Sequence, residues 1–376
     1  MPQARIRTTH TGSLPRPRDL VDLILERDTG QLPDTGVLDT RVRKATCELV
    51  KRQVELGIDV PSDGEAGKAS YATYVKERLT GFDGPPRAPF PATFAAEFPD
   101  WQRRDASPVQ FPTCNGPVTL RDPAAVRRDV AVLQSALAPY PSVTAFMSSA
   151  SPGVVDTFLP STYYANDRAF LLDVAAAMRD EYHAIVAAGF VLQVDCPDLA
   201  MSRNMRFSDL TDAEFLRVAR MHMEVLNFAL EGLPRDRVRL HLCWGNFEAP
   251  HTRDIPLADI LDIALEAHVG GLSFEAANPR HAHEWRVFRD RAAVLPHDLV
   301  LIPGVIDSCT NYVEHPELVA ERIGHFADIV GPERVMAGTD CGFGTSAGRL
   351  VVAPSVVWAK LQSLVDGARL ASEGFR

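Results

Sequence analysis

The sequence predicts a TIM barrel, a closed (β/α)8 fold, and three observations carry that expectation. Short apolar, β-branched runs recur along the chain, stretches with apolar residues at helical spacing separate them, and the runs number eight. The strand candidates are 6–9, 57–60, 143–147, 191–195, 238–243, 271–275, 299–304 and 334–338. Helical spacing is clear over 170–188 and 212–230, between the fourth and fifth runs and the strands before them. Strand and helix in alternation call for parallel strands joined by crossover helices, and eight such units suit a closed barrel better than an open sheet.

One region breaks the rhythm. From about 80 to 122 the chain is rich in proline and aromatic residues (GFDGPPRAPFPATFAAEFPDWQRR, then FPTCNGPVTL). The chain, 1–376, reads as a single barrel domain with this segment as an insertion after the second strand, carrying a short hairpin over the barrel mouth. Loops of that length in compact domains usually serve function or are disordered.

Composition bounds the partners. The 376 residues are 46% hydrophobic and 23% charged, which is ordinary for a globular protein. The net charge is −10 and no basic run is present, which argues against a nucleic-acid partner. No window approaches the ~20 apolar residues of a membrane span, and the N-terminal MPQARIRTTHTGSLPRP lacks the apolar core of a signal peptide. A cytoplasmic protein is expected. The six cysteines (47, 114, 196, 243, 309 and 341) are scattered singly, unlike a disulfide framework.

In a TIM barrel the C-terminal ends of the strands form the active mouth. Here those ends carry His10-Thr11-Gly12-Ser13, Asp63-Gly64-Glu65, Asp195-Cys196-Pro197-Asp198, His241-Leu242-Cys243, Glu275, Asp307 and Asp340-Cys341. A purely structural barrel has no need of that placement. His241 and Cys243, two apart on a strand, present their side chains on one face. Taken singly, each residue also fits a plain structural role: a buried polar pair, a helix cap at Glu275, an inert thiol at Cys341. Taken together, one imidazole, two thiols and one carboxylate make a complete donor set for a single zinc ion, and their mixed softness disfavours magnesium or calcium. Spread over about 100 residues at the catalytic end, they favour a catalytic over a structural zinc.

The chain resembles the cobalamin-independent methionine synthase family in its single-barrel form, together with the related epoxyalkane:coenzyme M transferases. The motifs that carry the resemblance are TTHTGSLPRP at 8–17, GIDVPSDGE at 57–65, LQVDCPDLA at 192–200, HLCWGN at 241–246, SFEAANPR at 273–280, PGVID at 303–307 and AGTDCGFGT at 337–345. The resemblance implies a barrel of the methionine synthase/uroporphyrinogen decarboxylase kind. It implies His241, Cys243, Glu275 and Cys341 as zinc ligands. It also implies that Gly12 and Ser13, with Glu65 and Asp195, hold the amino-acid part of a homocysteine-like thiol, the methyl group coming from a 5-methyltetrahydrofolate-type donor, as in methionine biosynthesis.

Two positions depart from that pattern. Methionine synthases place a histidine, as proton donor, two residues after the aspartate of the seventh-strand motif, where this chain has Cys309. The tryptophan that flanks the folate has no counterpart in 144–155. The stretches 241–251, 274–285 and 307–317 look more like the coenzyme M transferase branch, so thiol addition to an epoxide is the alternative reaction, and a non-catalytic zinc-binding barrel is the alternative of another class.

The chemistry follows from ligand charge. A thiol with pKa near 8.5 is mostly protonated at neutral pH, and only its thiolate attacks carbon. Two thiolates and a carboxylate around Zn²⁺ leave the site electron-rich, which favours sulfur nucleophiles over water activation. Glu275, the hard member, is expected to yield its place to the incoming thiol. The partners are therefore a small-molecule thiol and an alkyl donor. For the proton that the leaving atom requires, His10, Asp307, Cys309 and Tyr312 lie on mouth loops without an assigned role. Arg16 and Arg203 are candidate receivers of an anionic group, and His281 and His283 read as a solvated helix start.

Overall fold

Seven strands form one parallel sheet in the computed structural model, which describes residues 5–87, 94, 97–101 and 107–375. In chain order they are β1 (Arg7–Thr8), β2 (Phe146–Ala150), β3 (Val191–Asp195), β4 (Val238–Leu242), β5 (Gly271–Glu275), β6 (Val300–Ile306) and β7 (Met336–Thr339). Their spatial order is β1-β7-β6-β5-β4-β3-β2. The gap between β2 and β1 is spanned by residues 60–62: Val60 N donates to Thr8 O at 3.0 Å, and Phe146 N donates to Pro61 O at 3.0 Å. The sheet thus curls round as a TIM barrel.

The predicted strand at 57–60 is corrected by this geometry. Val60 bridges Thr9 at a single point, Ser62 beyond it bridges Phe146, and no ladder forms. Proline explains why, because Pro61 sits where a ladder strand would have to donate an N–H. The predicted run 143–147 also moves, to Phe146–Ala150. Ser148 and Ser149 are polar, yet each meets a buried carboxylate, Ser148 that of Glu65 at the mouth and Ser149 that of Glu181 on the covering helix of residues 167–187. By contrast 191–195 and 271–275 fall where their apolarity places them.

Helices cover the outside. They are α1 (Arg18–Asp28), α2 (Thr35–Leu56), α3 (Ala125–Leu137), α4 (Pro152–Phe158), α5 (Asp167–Ala187), α6 (Asp212–Leu230), α7 (Leu257–Leu265), α8 (Trp285–Asp290), α9 (Pro316–Val330) and α10 (Pro354–Gly374). Local signals set several starts. The side chains of Asp34, Ser151 and Asn166 accept from Gly36 N, Val154 N and Ala169 N, and Thr211 with Glu214 closes a capping box on α6. Gly57 ends α2 in the left-handed region at φ 99°, where a side chain would be strained. None of these helices is long and apolar enough to cross a membrane.

Inside the barrel, Arg239 spans the strands. Its guanidinium donates to Gln193 Oε1 (2.8 Å), Thr9 Oγ1 (3.1 Å) and His10 O (3.0 Å), and its Cζ lies 3.7 Å from the Phe146 ring centroid. A buried cation is tolerable only when its donors are satisfied in this way. Gln193 relays the constraint upward, since its Nε2 donates to Asp195 Oδ1 at 2.8 Å. The floor of the mouth is therefore fixed by polar contacts that tie β1, β3 and β4 together.

The described part of the insertion is a short hairpin-like excursion. Antiparallel bridges join Leu79 to Leu120 and Pro86 to Pro112, and Gly84 N donates to Thr113 O at 3.2 Å. Residues 88–93, 95–96 and 102–106 of the segment lie outside the described residues.

Candidate metal and thiol site

His241 points inward from β4, and Cys243 follows two residues later on the same face. Cys341 comes two residues after β7. The ligand atoms of these three residues all lie within 4.8 Å of one another, and the two sulfurs are 3.8 Å apart. His241 Nδ1 meets Ser273 Oγ at 3.3 Å, which leaves Nε2 buried with no hydrogen-bond partner. A buried polar atom without a partner carries a penalty of about 1–3 kcal/mol. Burial, and then the charge of Arg239, lower the imidazole pKa to about 3, so His241 stays neutral. The hydrogen-bonded Cys341 thiol, burial and the Glu275 carboxylate push the Cys243 thiol well above its ordinary value. A neutral imidazole and two thiols beside a carboxylate form a donor set that a soft divalent cation satisfies.

Glu275, the fourth residue of the sequence reading, stands beside this triangle and outside its mutual reach. Its Oε1 accepts from Trp244 N at 2.9 Å and its Oε2 from Asn278 Nδ2 at 2.7 Å. Asp340 ties the strand ends together: Oδ1 accepts from Ala276 N (2.8 Å) and Ala277 N (2.9 Å), and Oδ2 from Asn278 N (2.8 Å). The residue before Cys341 therefore fixes the turn after Glu275. That contact reaches across β6, and Gly304 of β6, which has no side chain, is what lets it pass.

Glu65 and Asp195 face the same cavity as His241, Cys243 and Cys341, together with Thr11 and Ser13. Glu65 is a non-glycine residue at φ 53°, a strained backbone state that persists only where neighbours impose it. Arg16 imposes it, donating to Glu65 O (2.7 Å) and also bonding Gly344 O. Glu65 Oε1 accepts from Ser148 Oγ at 2.5 Å, while Oε2 is buried without a partner. Gly12, at φ 142°, has to be glycine, because a Cβ there would come within 2.8 Å of Glu65 Oε1. Burial, and then the charge of Glu65, raise Asp195 to about 8. Lys68 lies close, yet its Nζ is engaged by Ser148 O at 2.6 Å. Two buried carboxylates that destabilise one another make a socket for a cationic group.

The remaining mouth residues sit elsewhere. His10, Asp307 and Cys309 do not line the cavity. His10 bonds Gln53 Oε1 through Nε2 (2.8 Å) and accepts from Gly12 N, and burial lowers it to about 4. Asp307 accepts from Cys309 N and Thr310 Oγ1. The Cys309 thiol donates to Asn246 Oδ1 at 3.0 Å, and burial raises it well above the ordinary range. Tyr312 is exposed. Arg16 is taken up by backbone carbonyls and Arg203 by Asp212, so neither waits for an anion.

His281 departs from the solvated position expected of it. It is buried, clamped between Glu284 (2.7 Å) and Asp254 (3.1 Å), and stacked on Trp244 at 4.2 Å. Burial opposes its charge, but the two carboxylates outweigh that and raise its pKa to about 10. It thereby steadies the tryptophan whose N–H holds Glu275. His283 is exposed.

Sequence reasoning also passed over the aromatic walls of the cavity. Phe94, Trp101 and Phe111 of the insertion line it alongside Tyr71, Phe158 and Phe247. The one signal available for Tyr71 is its position, six residues past Glu65 on a mouth loop.

Comparison with known proteins adds the following. The sequence profile of the family described as cobalamin-independent synthase, catalytic domain, matches residues 156–369, more than half of the chain. The methionine synthase of Thermococcus kodakarensis is 25% identical over 370 residues, covering 96% of this chain and 92% of the relative. That of Saccharolobus solfataricus is 24% identical over 371 residues, covering 97% and 95%. Among solved structures, a B12-independent methionine synthase from Shewanella sp. W3-18-1, in complex with selenomethionine, superposes with a TM-score of 0.74 at 20% identity, over 99% of each chain. A putative vitamin-B12-independent methionine synthase from Listeria monocytogenes gives 0.66 at 20% identity, over 98% of each. At these identities the solved structures speak for the fold.

Proposed function

The chain belongs to the cobalamin-independent synthase family by its catalytic domain, and from that premise we propose that it is a zinc-dependent enzyme that transfers a methyl group to a homocysteine-like thiol. The observation that carries the proposal is the buried His241 Nε2 with no partner, facing two thiols whose sulfurs lie 3.8 Å apart. His241, Cys243 and Cys341 would hold the ion, with Glu275 beside them as the exchangeable member. Zinc supplies Lewis acidity that keeps an incoming sulfur deprotonated at neutral pH.

The chain's own residues do the rest. Glu65 Oε2 and Asp195 receive an α-ammonium group, which removes the mutual repulsion of the two carboxylates. Ser13, with the backbone at Gly12, lies on the same wall and holds the other end of the amino acid. Neutral His241 needs no deprotonation to serve as a ligand. The aromatic walls exclude water, which strengthens each of these interactions. The enzyme acts on small molecules, in the cytoplasm.

A second reaction uses the same residues: addition of a thiol such as coenzyme M to an epoxide. Cys309, a half-buried thiol bonded to Asn246 where methionine synthases carry histidine, favours it. Mass spectrometry separates the two. The zinc-loaded chain is offered homocysteine and coenzyme M, each with 5-methyltetrahydrofolate and with propylene oxide. Methionine from the first pair is the expected product. A hydroxypropyl thioether and no methionine selects the second reaction, and no product from any pair defeats both.

A further inference from the structure

When an alkyl group leaves its donor, the C–N or C–O bond breaks with both electrons going to the heteroatom, and that atom needs a proton. His10, Asp307 and Cys309 lie off the cavity wall. Tyr71 lies on it, in the same cavity as His241, Cys243, Cys341 and Asp195.

The phenol is held from several sides. Tyr71 N donates to Thr345 O at 3.2 Å, and the preceding Ser70 bridges Ser346, so the loop after the 60–62 connector is fastened to the loop after β7. The ring packs edge-on against Phe158, centroids 5.8 Å apart at 84°, and Phe158 stacks on Phe111 at 5.9 Å. With backbone and ring both fixed, the O–H rotor is the freedom that remains. Tyr71 is half-buried, and its hydroxyl, on the cavity wall, has no hydrogen bond to any described residue, so it can turn to an atom bound there. Burial above all raises the phenol well above its ordinary pKa, so it keeps its proton until a stronger base arrives.

We propose that Tyr71 is the proton donor to the leaving atom of the alkyl donor. The inference rests on the thiol-alkylation reading and extends it to a residue outside the family's motifs quoted above. In the step, an electron pair on the substrate sulfur forms the S–C bond, and the pair of the broken bond passes to nitrogen or oxygen. The Tyr71 proton moves to that atom. An alkoxide or an amide anion is a stronger base than a phenolate, so the transfer runs downhill, and solvent entering by the mouth returns a proton before the next cycle.

The test compares two kinds of electrophile on the zinc-loaded full chain, with whichever thiol the wild type uses. Propylene oxide and 5-methyltetrahydrofolate need a proton at the leaving atom; methyl iodide, which releases a stable anion, does not. For Tyr71→Phe we expect kcat with the proton-requiring electrophile to fall about 10²–10⁴-fold, while methyl iodide turnover stays near that of wild type. Tyr71→His, which retains a proton donor, is expected to recover part of the lost rate. Equal losses with both electrophiles, in Phe and His variants alike, would mark a structural role and overturn the proposal. So would an unchanged rate with the proton-requiring electrophile. If wild type accelerates methyl iodide alkylation of neither thiol, the underlying thiol-alkylation reading fails, and the assignment falls with it.

Discussion

Replacing Cys341 with serine is expected to weaken zinc binding more than a hundredfold and to abolish thiol methylation at trace zinc. The magnitude follows from the ligand count. Structural zinc in small domains binds with an apparent ~10–16 kcal/mol, so one ligand of four carries about 3 kcal/mol, a little over two powers of ten. Serine keeps the size of the side chain but not its chemistry, because a hydroxyl is neither soft nor readily deprotonated. The loss should be graded: excess zinc restores part of the rate, since His241 and Cys243 remain in place. Chelator competition gives the affinity and product formation the rate. Cys47→Ser, at an exposed position on α2, is the control and should leave both unchanged. Activity retained in Cys341→Ser at trace zinc would remove this residue from the metal site.

The largest expected effect on stability belongs to Gly304→Ala. Gly304 lies in β6, between β5 and β7, at the point where Asp340 crosses to cap the turn after Glu275. A Cβ at Gly304 would sit 2.3 Å from Asp340 Oδ1 and 2.5 Å from its Cα and N. Backbone cannot retreat as a flexible side-chain tip can, so the strand has to shift. Overpacking of this kind typically costs 1–3 kcal/mol, and with main chain as the obstacle we expect at least about 3 kcal/mol. Gly324→Ala on α9 is the counterpart. Nothing lies within 4 Å of its added methyl, and replacing an unstrained helix glycine should stabilise by about 0.5–1 kcal/mol. Urea unfolding measures both. Similar midpoints for the two variants would contradict the packing account. Because Asp340 precedes Cys341, Gly304→Ala should also weaken zinc binding even where the chain remains folded.

What the sequence made legible was whatever local chemistry decides. Apolar runs mark β3 and β5 at their observed bounds, and strand-end position groups His241, Cys243, Glu275 and Cys341, of which the first, second and fourth lie within mutual reach. The rest depends on contacts distant along the chain. Residues 57–60 carry a strand composition, but Pro61 stops the ladder. Ser148 and Ser149 look like loop residues until Glu65 and Glu181 supply their partners. His281 reads as solvated because its neighbours in sequence are polar, and it is Trp244 and Asp254, some 30 residues away, that enclose it. Glu275 joins the ligands on the same two signals, donor type and strand-end position. Its hydrogen bonds to Trp244 and Asn278 depend on the turn that Asp340 builds, and no local pattern records that.

The same distinction applies to the reaction. Ligand type in the sequence suggests that sulfur is activated, whereas the partner of the leaving atom is set by which side chains the fold brings to the cavity wall. There Tyr71 is present and His10, Asp307 and Cys309 are not.

The central claim is that a zinc ion at His241, Cys243 and Cys341 is required for thiol alkylation. Its most direct test measures metal content and activity in one titration: the purified chain is stripped with chelator, then reloaded stepwise with zinc. The account predicts activity rising in proportion to bound zinc and reaching a plateau at one ion per chain. Full thiol alkylation by a chain holding less than a tenth of an ion would contradict it.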